Sequence, residues 1–222
     1  MQAMILAAGK GTRMLPLTAK TPKPLVLFKN KPLIEHLIIN LKKAGINNLV
    51  INLHHLGEQI KNTLGTGKQF GVQIQYSEEP TLLDTGGGVL KAINNNLLTN
   101  DPFIVVSGDI ITDFDFSSLT KKLTKLAHLV LAPNPPYHKH GDFSLKDHYL
   151  QLPHYDHNLN FNYAGIGIYD PKFFSDLPRT AFPLVYLFNK AIKHQQITAE
   201  VYNGWWHNIG TLEELDKLNQ NE

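Results

Sequence analysis

The sequence predicts one α/β domain over residues 1–222: a Rossmann-like, mixed but mostly parallel central sheet flanked by helices, with a smaller second half. Three observations carry this. Strand-length apolar runs alternate with helix-period segments through the first 110 residues, the pattern of a sheet covered on both faces. A glycine-rich turn follows the first apolar run, and open parallel sheets gather ligands at the carboxyl ends of their strands. Beyond residue 125 the segments shorten and turn residues crowd in, which divides the domain into halves of 1–125 and 126–222.

The elements follow in order. Ala3 to Ala8 is a continuous apolar run stopped by Gly9, a buried strand feeding a loop. Leu33, Leu37, Ile38 and Leu41 recur at helical spacing up to Gly45, a suitable C-terminal stop. Residues 48–53 read as a second buried strand and 56–64 as a second helix. Residues 71–76, with Val72, Ile74 and Tyr76 on one face, form a third strand. Asp84-Thr85-Gly86-Gly87-Gly88 opens a helix carrying Val89, Leu90, Ile93 and Leu97, and 103–106 is the fourth strand. In the second half, helices are expected near 117–125, over 182–194 and from Leu212. Strands are expected over 128–132, near Phe143, and over 149–152, 161–169 and 198–202. Pro133-Asn134-Pro135-Pro136 makes a stiff turn. This reads as a second, more antiparallel half packed on the first, with no internal repeat and no flexible linker.

Composition narrows the class. With 42% apolar and 18% charged residues the chain is an ordinary globular one, neither disordered nor collagen-like. A net charge of +2 is too small for a nucleic-acid or membrane surface. The absence of Cys removes disulfides, thiolate nucleophiles and Cys-based zinc sites together. The amino terminus lacks the basic and long apolar regions of a signal peptide, and no run reaches membrane-spanning length, so a cytoplasmic protein is expected.

Charge is uneven where it matters. Met1 to Ile34 holds six Lys or Arg and no acid, so a positive field surrounds the glycine-rich turn. Gly9 and Gly11 let backbone N–H groups converge on an anion. Arg13 and Lys23 can add charge to several phosphate oxygens, while Pro16, Pro22 and Pro24 stiffen the loop and fix where Lys23 points. A triphosphate is the expected guest. P-loop spacing is missing, and Met14 stands where a dinucleotide fingerprint needs its third glycine. Asp109 ends an apolar strand, a position that suits a Mg²⁺ carboxylate as well as an ordinary turn.

Taken together, Gly9-x-Gly11-Thr12-Arg13, Pro16-Leu17-Thr18 and Thr21-Pro22-Lys23-Pro24 resemble the signature of the sugar-1-phosphate nucleotidyltransferases. Leu83 to Gly88, Gly108-Asp109 and Gly141-Asp142-Phe143 extend the likeness to about residue 215, and the short chain resembles the uridylyltransferase branch. The resemblance implies that UTP meets a sugar 1-phosphate and that pyrophosphate leaves. Nucleotide contacts would come from Leu6, Ala7, Ala8, Gly9, Gly11, Thr12, Arg13, Lys23, Gly86, Gly87 and Asp109. Arg13 would clamp the β- and γ-phosphates, and Lys23 would shield the α-phosphate from the sugar phosphate. Main-chain groups of Gly86 and Gly87 would read the uracil edge. Gly141, Asp142, Asn162 and Gly165 would hold the sugar phosphate, making 1–125 the nucleotide half and 126–222 the sugar-phosphate half. His138 and His140 read as surface histidines, and Trp205 and Trp206 as core or pocket wall.

The pattern breaks at one place. The family's second Mg²⁺ aspartate, in Trp-x-Asp-x-Gly-Thr, falls here on Asn208 of Trp206-His207-Asn208-Ile209-Gly210-Thr211. An amide oxygen can ligate Mg²⁺ but brings no charge. Three readings stay open: an enzyme working with weaker metal affinity at Asp109 and Asn208, an introduced substitution, or a nucleotide-binding homologue without turnover. Mannose or glucose 1-phosphate with GTP or dTTP is the neighbouring enzymatic reading. The expected assembly is a monomer or homodimer, without nucleic acid or membrane partners.

Overall fold

The computed structural model describes residues 1–175, 177 and 180–220. The first half contains β1 (Gln2–Leu6), a short hairpin of β2 (Leu27–Phe28) and β3 (Lys31–Pro32), and α1 (Leu33–Lys43). β4 (Asn48–Leu53), α2 (Gly57–Leu64), β5 (Gln73–Glu78), α3 (Asp84–Asn94), β6 (Phe103–Ser107) and β7 (Ile110–Thr112) follow. The second half adds β8 (Ala127–Ala132), β9 (Phe143–Lys146), β10 (Tyr149–Gln151), β11 (Asn160–Tyr169), α4 (Leu184–Ile192), β12 (Ile197–Val201), β13 (Trp206–Asn208) and α5 (Leu212–Gln220).

One nine-stranded sheet in the order β5-β4-β1-β6-β11-β8-β12-β10-β9 organises the chain. β5, β4, β1 and β6 run parallel, as expected. The rest departs from the expectation of a mostly parallel sheet, because the long strand β11 inserts antiparallel between β6 and β8 and the hairpin β9–β10 closes the far edge antiparallel. The sheet is mixed. The second half is more antiparallel, as expected, but its strands continue the same sheet edge to edge instead of packing on the first half. The helix expected near 117–125 is instead a 3₁₀ segment, Phe116–Lys121, started by Asp115, whose carboxylate accepts from Ser117 N–H at 2.9 Å.

Side-chain alternation sorts the core onto two faces. Ala3 and Ile5 of β1 lie with Leu37, Ile38, Ile60 and Leu64 of α1 and α2, while Met4 lies with Val89 and Leu187 of α3 and α4. A third apolar cluster matters more for function. Met14, Val26, Phe28, Leu33, Ile111, Ile209 and Leu215 pack together and tie the glycine-rich loop to β7, β13 and α5. Burying each of these larger side chains stabilises the fold by roughly 1.5–3 kcal/mol. The start of α5 is fixed by a reciprocal cap: Glu214 Oε2 accepts from the Gly210 and Thr211 N–H groups at 2.7 and 2.8 Å, and Thr211 Oγ1 accepts from Glu214 N–H at 3.2 Å.

Candidate active site

The carboxyl ends of three adjacent parallel strands make the floor of the site, with Leu6 of β1 paired to Asn52 of β4 and to Ser107 of β6. Beyond Ser107 the chain turns sharply at Gly108, whose N–H donates to Leu6 C=O at 2.9 Å. A Cβ there would lie 2.6 Å from that oxygen, so only glycine fits. The turn delivers Asp109 to the rim of a pocket of about 320 Å³ lined by Leu6, Ala7, Ala8, Gly9, Lys23, Pro24, Asn52, Leu82, Asp84, Thr85, Ser107, Gly108 and Asp109.

Lys23 enters from the loop. Pro22 is extended and Lys23–Leu25 forms a 3₁₀ turn with Pro24, so the two prolines set the direction of the side chain between them. Its Nζ contacts Asp109 Oδ2 at 2.5 Å, and Lys23 is only 9% exposed. Gly11 takes a left-handed φ of 63°, and Thr18, fully buried, donates its hydroxyl to Gly11 C=O at 2.8 Å, holding the loop closed.

Arg13 does not line this pocket. It is exposed and lies beside Gly210, where a Cβ would be 3.0 Å from its Nη1. Arg13 therefore stands at the rim formed by the β13–α5 junction. Tyr137 lies there too: its hydroxyl donates to Asn208 C=O at 3.4 Å, and burial and the charges of Glu214 and Asp109 hold its phenol above the usual pKa, against the opposing effect of Arg13. Asn208 pairs with Ile110 across the β13–β7 ladder, and Ile209 N–H donates to Asp109 C=O at 2.9 Å. Asp109 and Asn208 are thereby neighbours although 98 positions separate them in the chain. His207, the intervening residue, packs against Trp205.

The first two glycines of α3 have their N–H groups engaged within the protein. The N–H groups of Gly86 and Gly87 donate to Phe182 C=O at 2.9 and 3.0 Å, so they are not free to read a base. The absence of side chains there is explained by packing: a Cβ on Gly86 would strike the Phe182 ring, and one on Gly87 would sit 2.7 Å from Thr180 C=O. Gly88 faces a buried polar pair. Asn52 donates its amide to Glu79 Oε1 at 2.8 Å and accepts from Ala7 N–H at 2.7 Å, and Leu83 N–H reaches Glu79 Oε2 at 3.0 Å. The Asn52–Glu79 pair thus holds both chain segments that line the pocket. Gly88→Ala puts a Cβ 2.7 Å from Glu79 Oε1, and we expect a loss of about 1–3 kcal/mol in thermal unfolding together with a raised KM for nucleotide. Wild-type values for both would remove this pair from the pocket's support.

On the second half, Gly165 sits at the bulge of β11 with φ 72°, and a Cβ would meet Ser107 Oγ at 2.7 Å, so it abuts the pocket wall. Asn162 is buried and donates to Tyr163 C=O at 2.9 Å. Gly141 has φ 65° and lies against Asn134 and Asn160. Asp142 Oδ2 accepts from Tyr163 N–H at 2.8 Å and Oδ1 from His138 Nε2 at 2.9 Å, so both oxygens are engaged within the protein. Of the residues expected at the nucleotide, Leu6, Ala7, Ala8, Gly9, Lys23 and Asp109 line the pocket, whereas Gly11, Thr12, Arg13, Gly86 and Gly87 do not. Asn52, Leu82, Asp84, Thr85 and Ser107 line it without having been singled out as contacts. Asp84 had one readable signal, its place directly before the glycines. It adopts φ 61°, a conformation costly for a non-glycine residue and typical of ligand-contacting positions.

Solved structures share this architecture. A Bacillus anthracis chain assigned as a glucose-1-phosphate thymidylyltransferase superposes with a TM-score of 0.85 at 24% identity, covering 99% of this chain and 94% of that one. HddC from Yersinia pseudotuberculosis gives 0.81 at 20% identity over 99% and 98% of the two chains. The fold is that of an α/β sugar-1-phosphate nucleotidyltransferase. In sequence, the nucleotidyl transferase family model matches residues 2–144. N-acetylmuramate alpha-1-phosphate uridylyltransferase from Neisseria meningitidis serogroup B is 39% identical over 219 residues, 96% of this chain and 94% of that protein. UTP–glucose-1-phosphate uridylyltransferase from Synechocystis is 38% identical over 130 residues, which span 54% of this chain and 34% of that longer protein. The chain belongs to the nucleotidyl transferase family and is an enzyme of its sugar-1-phosphate class. Among the described residues no helix is long and apolar enough to cross a membrane.

Proposed function

We propose that this chain transfers a uridylyl group from UTP to N-acetylmuramate α-1-phosphate, releasing pyrophosphate and forming UDP-N-acetylmuramate, as a cytoplasmic step of peptidoglycan recycling. The observation that carries the reading is the contact of Lys23 with Asp109 at 2.5 Å on the rim of a strand-end pocket. The match to the Neisseria relative, an N-acetylmuramate alpha-1-phosphate uridylyltransferase, over 96% of this chain supports this choice of substrates.

The chemistry asks little of the protein in proton transfer. A phosphate monoester has its second pKa near ~6 and arrives almost fully dianionic, so its oxygen attacks the α-phosphorus without a general base. The α–β bond breaks and the electron pair leaves on pyrophosphate. The barrier is the approach of two anions, which positioned cations lower. Lys23 supplies one from the loop that lines the pocket, and Arg13 receives the pyrophosphate end at the rim.

Mg²⁺ fits the pair Asp109 and Asn208. Both offer hard oxygen donors, and Asn208 Oδ1 is buried without a hydrogen-bond partner among the described residues. Among the described residues no three His, Cys, Asp or Glu side chains cluster as a metal site, so phosphate oxygens and water would complete the coordination. When bound, the ion neutralises charge on the phosphates and orients them. Lys23, already against Asp109, holds that carboxylate in place.

Pyrophosphate release from four NTPs against a panel of sugar 1-phosphates, with Mg²⁺ varied, tests the reading. We expect UTP with N-acetylmuramate 1-phosphate to give the highest kcat/KM. Preference for mannose or glucose 1-phosphate with GTP or dTTP would replace it with the neighbouring activity, and UTP binding without release would leave a nucleotide sensor.

A further inference from the structure

The tract His138-Lys139-His140 has no part in the site described so far, although its loop borders that site on two sides. At one end Tyr137 reaches Asn208 C=O at 3.4 Å, on the strand that carries the expected metal ligand. At the other, Asp142 accepts from Tyr163 N–H at 2.8 Å beside the β11 bulge, where Gly165 meets Ser107 of the nucleotide pocket. Residues 137–142 therefore run from the Asp109–Asn208 pair to the pocket wall.

Within that loop one side chain is presented and another is buried in its support. A carboxylate only accepts hydrogen bonds, so the imidazole nitrogen facing Asp142 Oδ1, Nε2 of His138 at 2.9 Å, carries the proton. With Oδ2 anchored on the Tyr163 backbone, Asp142 fixes the direction of the ring and leaves Nδ1 for another partner. The His138 side chain is 38% exposed, so a solute can reach it. Asp142 is the sole acid between residues 133 and 142 and is already engaged, while Lys139 and His140, the next two residues in the chain, are exposed and the His140 ring packs on His157. Lys139 is the tract's one formal cation and is not balanced by a free acid within residues 133–142.

We infer that His138 reads a carboxylate carried by the acceptor sugar, with Lys139 on the rim and Asp142 as the positioning residue. In this arrangement the ring keeps its Nε2 contact with Asp142 and turns Nδ1 to the incoming carboxylate, for which the imidazolium is the form that serves as donor. This rests on the acceptor proposed above: N-acetylmuramate bears a carboxylate on its ether substituent, whereas N-acetylglucosamine and the neutral hexoses do not. The acceptor phosphate is handled separately, by Lys23 and the rim, so a second positive locus has a use only for a sugar with a second anion.

The test compares kcat/KM for N-acetylmuramate 1-phosphate and N-acetylglucosamine 1-phosphate in the wild-type enzyme, His138→Gln and Lys139→Ala. Gln retains an amide donor toward Asp142, and UTP binding by calorimetry reports whether the fold survives. We expect His138→Gln to lower kcat/KM for the carboxylated acceptor by about tenfold or more through KM, and for the plain acceptor by less than about threefold. Lys139→Ala should move the same ratio in the same direction by a smaller factor. Equal losses on both acceptors, or none on either, would overturn the inference. Failure of the parent reading is visible separately, in the wild-type enzyme: no pyrophosphate from N-acetylmuramate 1-phosphate together with turnover of a neutral hexose 1-phosphate removes both.

Discussion

Lys23→Ala lowers kcat by about two orders of magnitude or more, with a much smaller rise in KM for UTP. The expectation follows from where the ammonium stands. Lys23 is nearly buried, points into the pocket from between two prolines and touches Asp109 at 2.5 Å. A cation held there before substrate arrives costs no reorganisation when the two phosphoryl groups approach, and its stabilisation grows as charge concentrates between them. Its removal also leaves the Asp109 carboxylate without its counter-charge at the mouth of an anion site, which opposes the same step. Steady-state kinetics with both substrates varied distinguish the cases. A loss confined to nucleotide affinity would show that Lys23 binds UTP equally in ground and transition states and is no part of the chemical step.

Asn208→Asp produces the second large effect, in the opposite direction. Oδ1 of Asn208 is buried and without a hydrogen-bond partner among the described residues, and its backbone neighbours Asp109 through the β13–β7 pairing. A carboxylate in its place adds a negative charge to a site that otherwise offers one acid and one amide, and hard divalent cations follow ligand charge. The expected result is an apparent Mg²⁺ affinity higher by about tenfold, near 1.4 kcal/mol, with increased activity at limiting Mg²⁺. Calorimetric titration of Mg²⁺ in the presence of UTP measures the same change without turnover. Unaltered affinity in both measurements would take residue 208 out of the metal site and leave Asp109 as the protein's sole ligand. A drop in stability without metal, restored by Mg²⁺, would accompany the expected outcome, because two adjacent carboxylates repel until an ion separates them.

Much of the nucleotide half is readable from local patterns. The apolar run before Gly9, the period of Leu33, Leu37, Ile38 and Leu41, and the run from Asn48 to Leu53 each correspond to an element within a residue or two at most boundaries. Pro22 and Pro24 set the course of Lys23 in sequence terms alone, since a ring-locked φ acts on its immediate neighbours. The glycines at 86–88 were visible, but their cause was not: the atoms they make room for belong to Phe182, Thr180, Glu79 and Asn52. Glu79 and Asn52 gave no signal, because a buried amide–carboxylate pair joins two strands that no spacing rule links.

By itself the sequence determined the alternation of elements, the positive glycine-rich turn and the residue types able to carry anion chemistry. All of these are properties of short windows, in which side-chain period, backbone freedom and charge act directly. Only the tertiary structure decided that β11 would run antiparallel through the middle of the sheet, that Arg13 would stand at the rim instead of in the pocket, and that Asp109 would meet both Lys23 and Asn208. Those outcomes depend on which apolar faces are buried together: the cluster of Met14, Ile111, Ile209 and Leu215 draws chain ends from across the sequence into one place, and nothing in any one of these segments specifies the others.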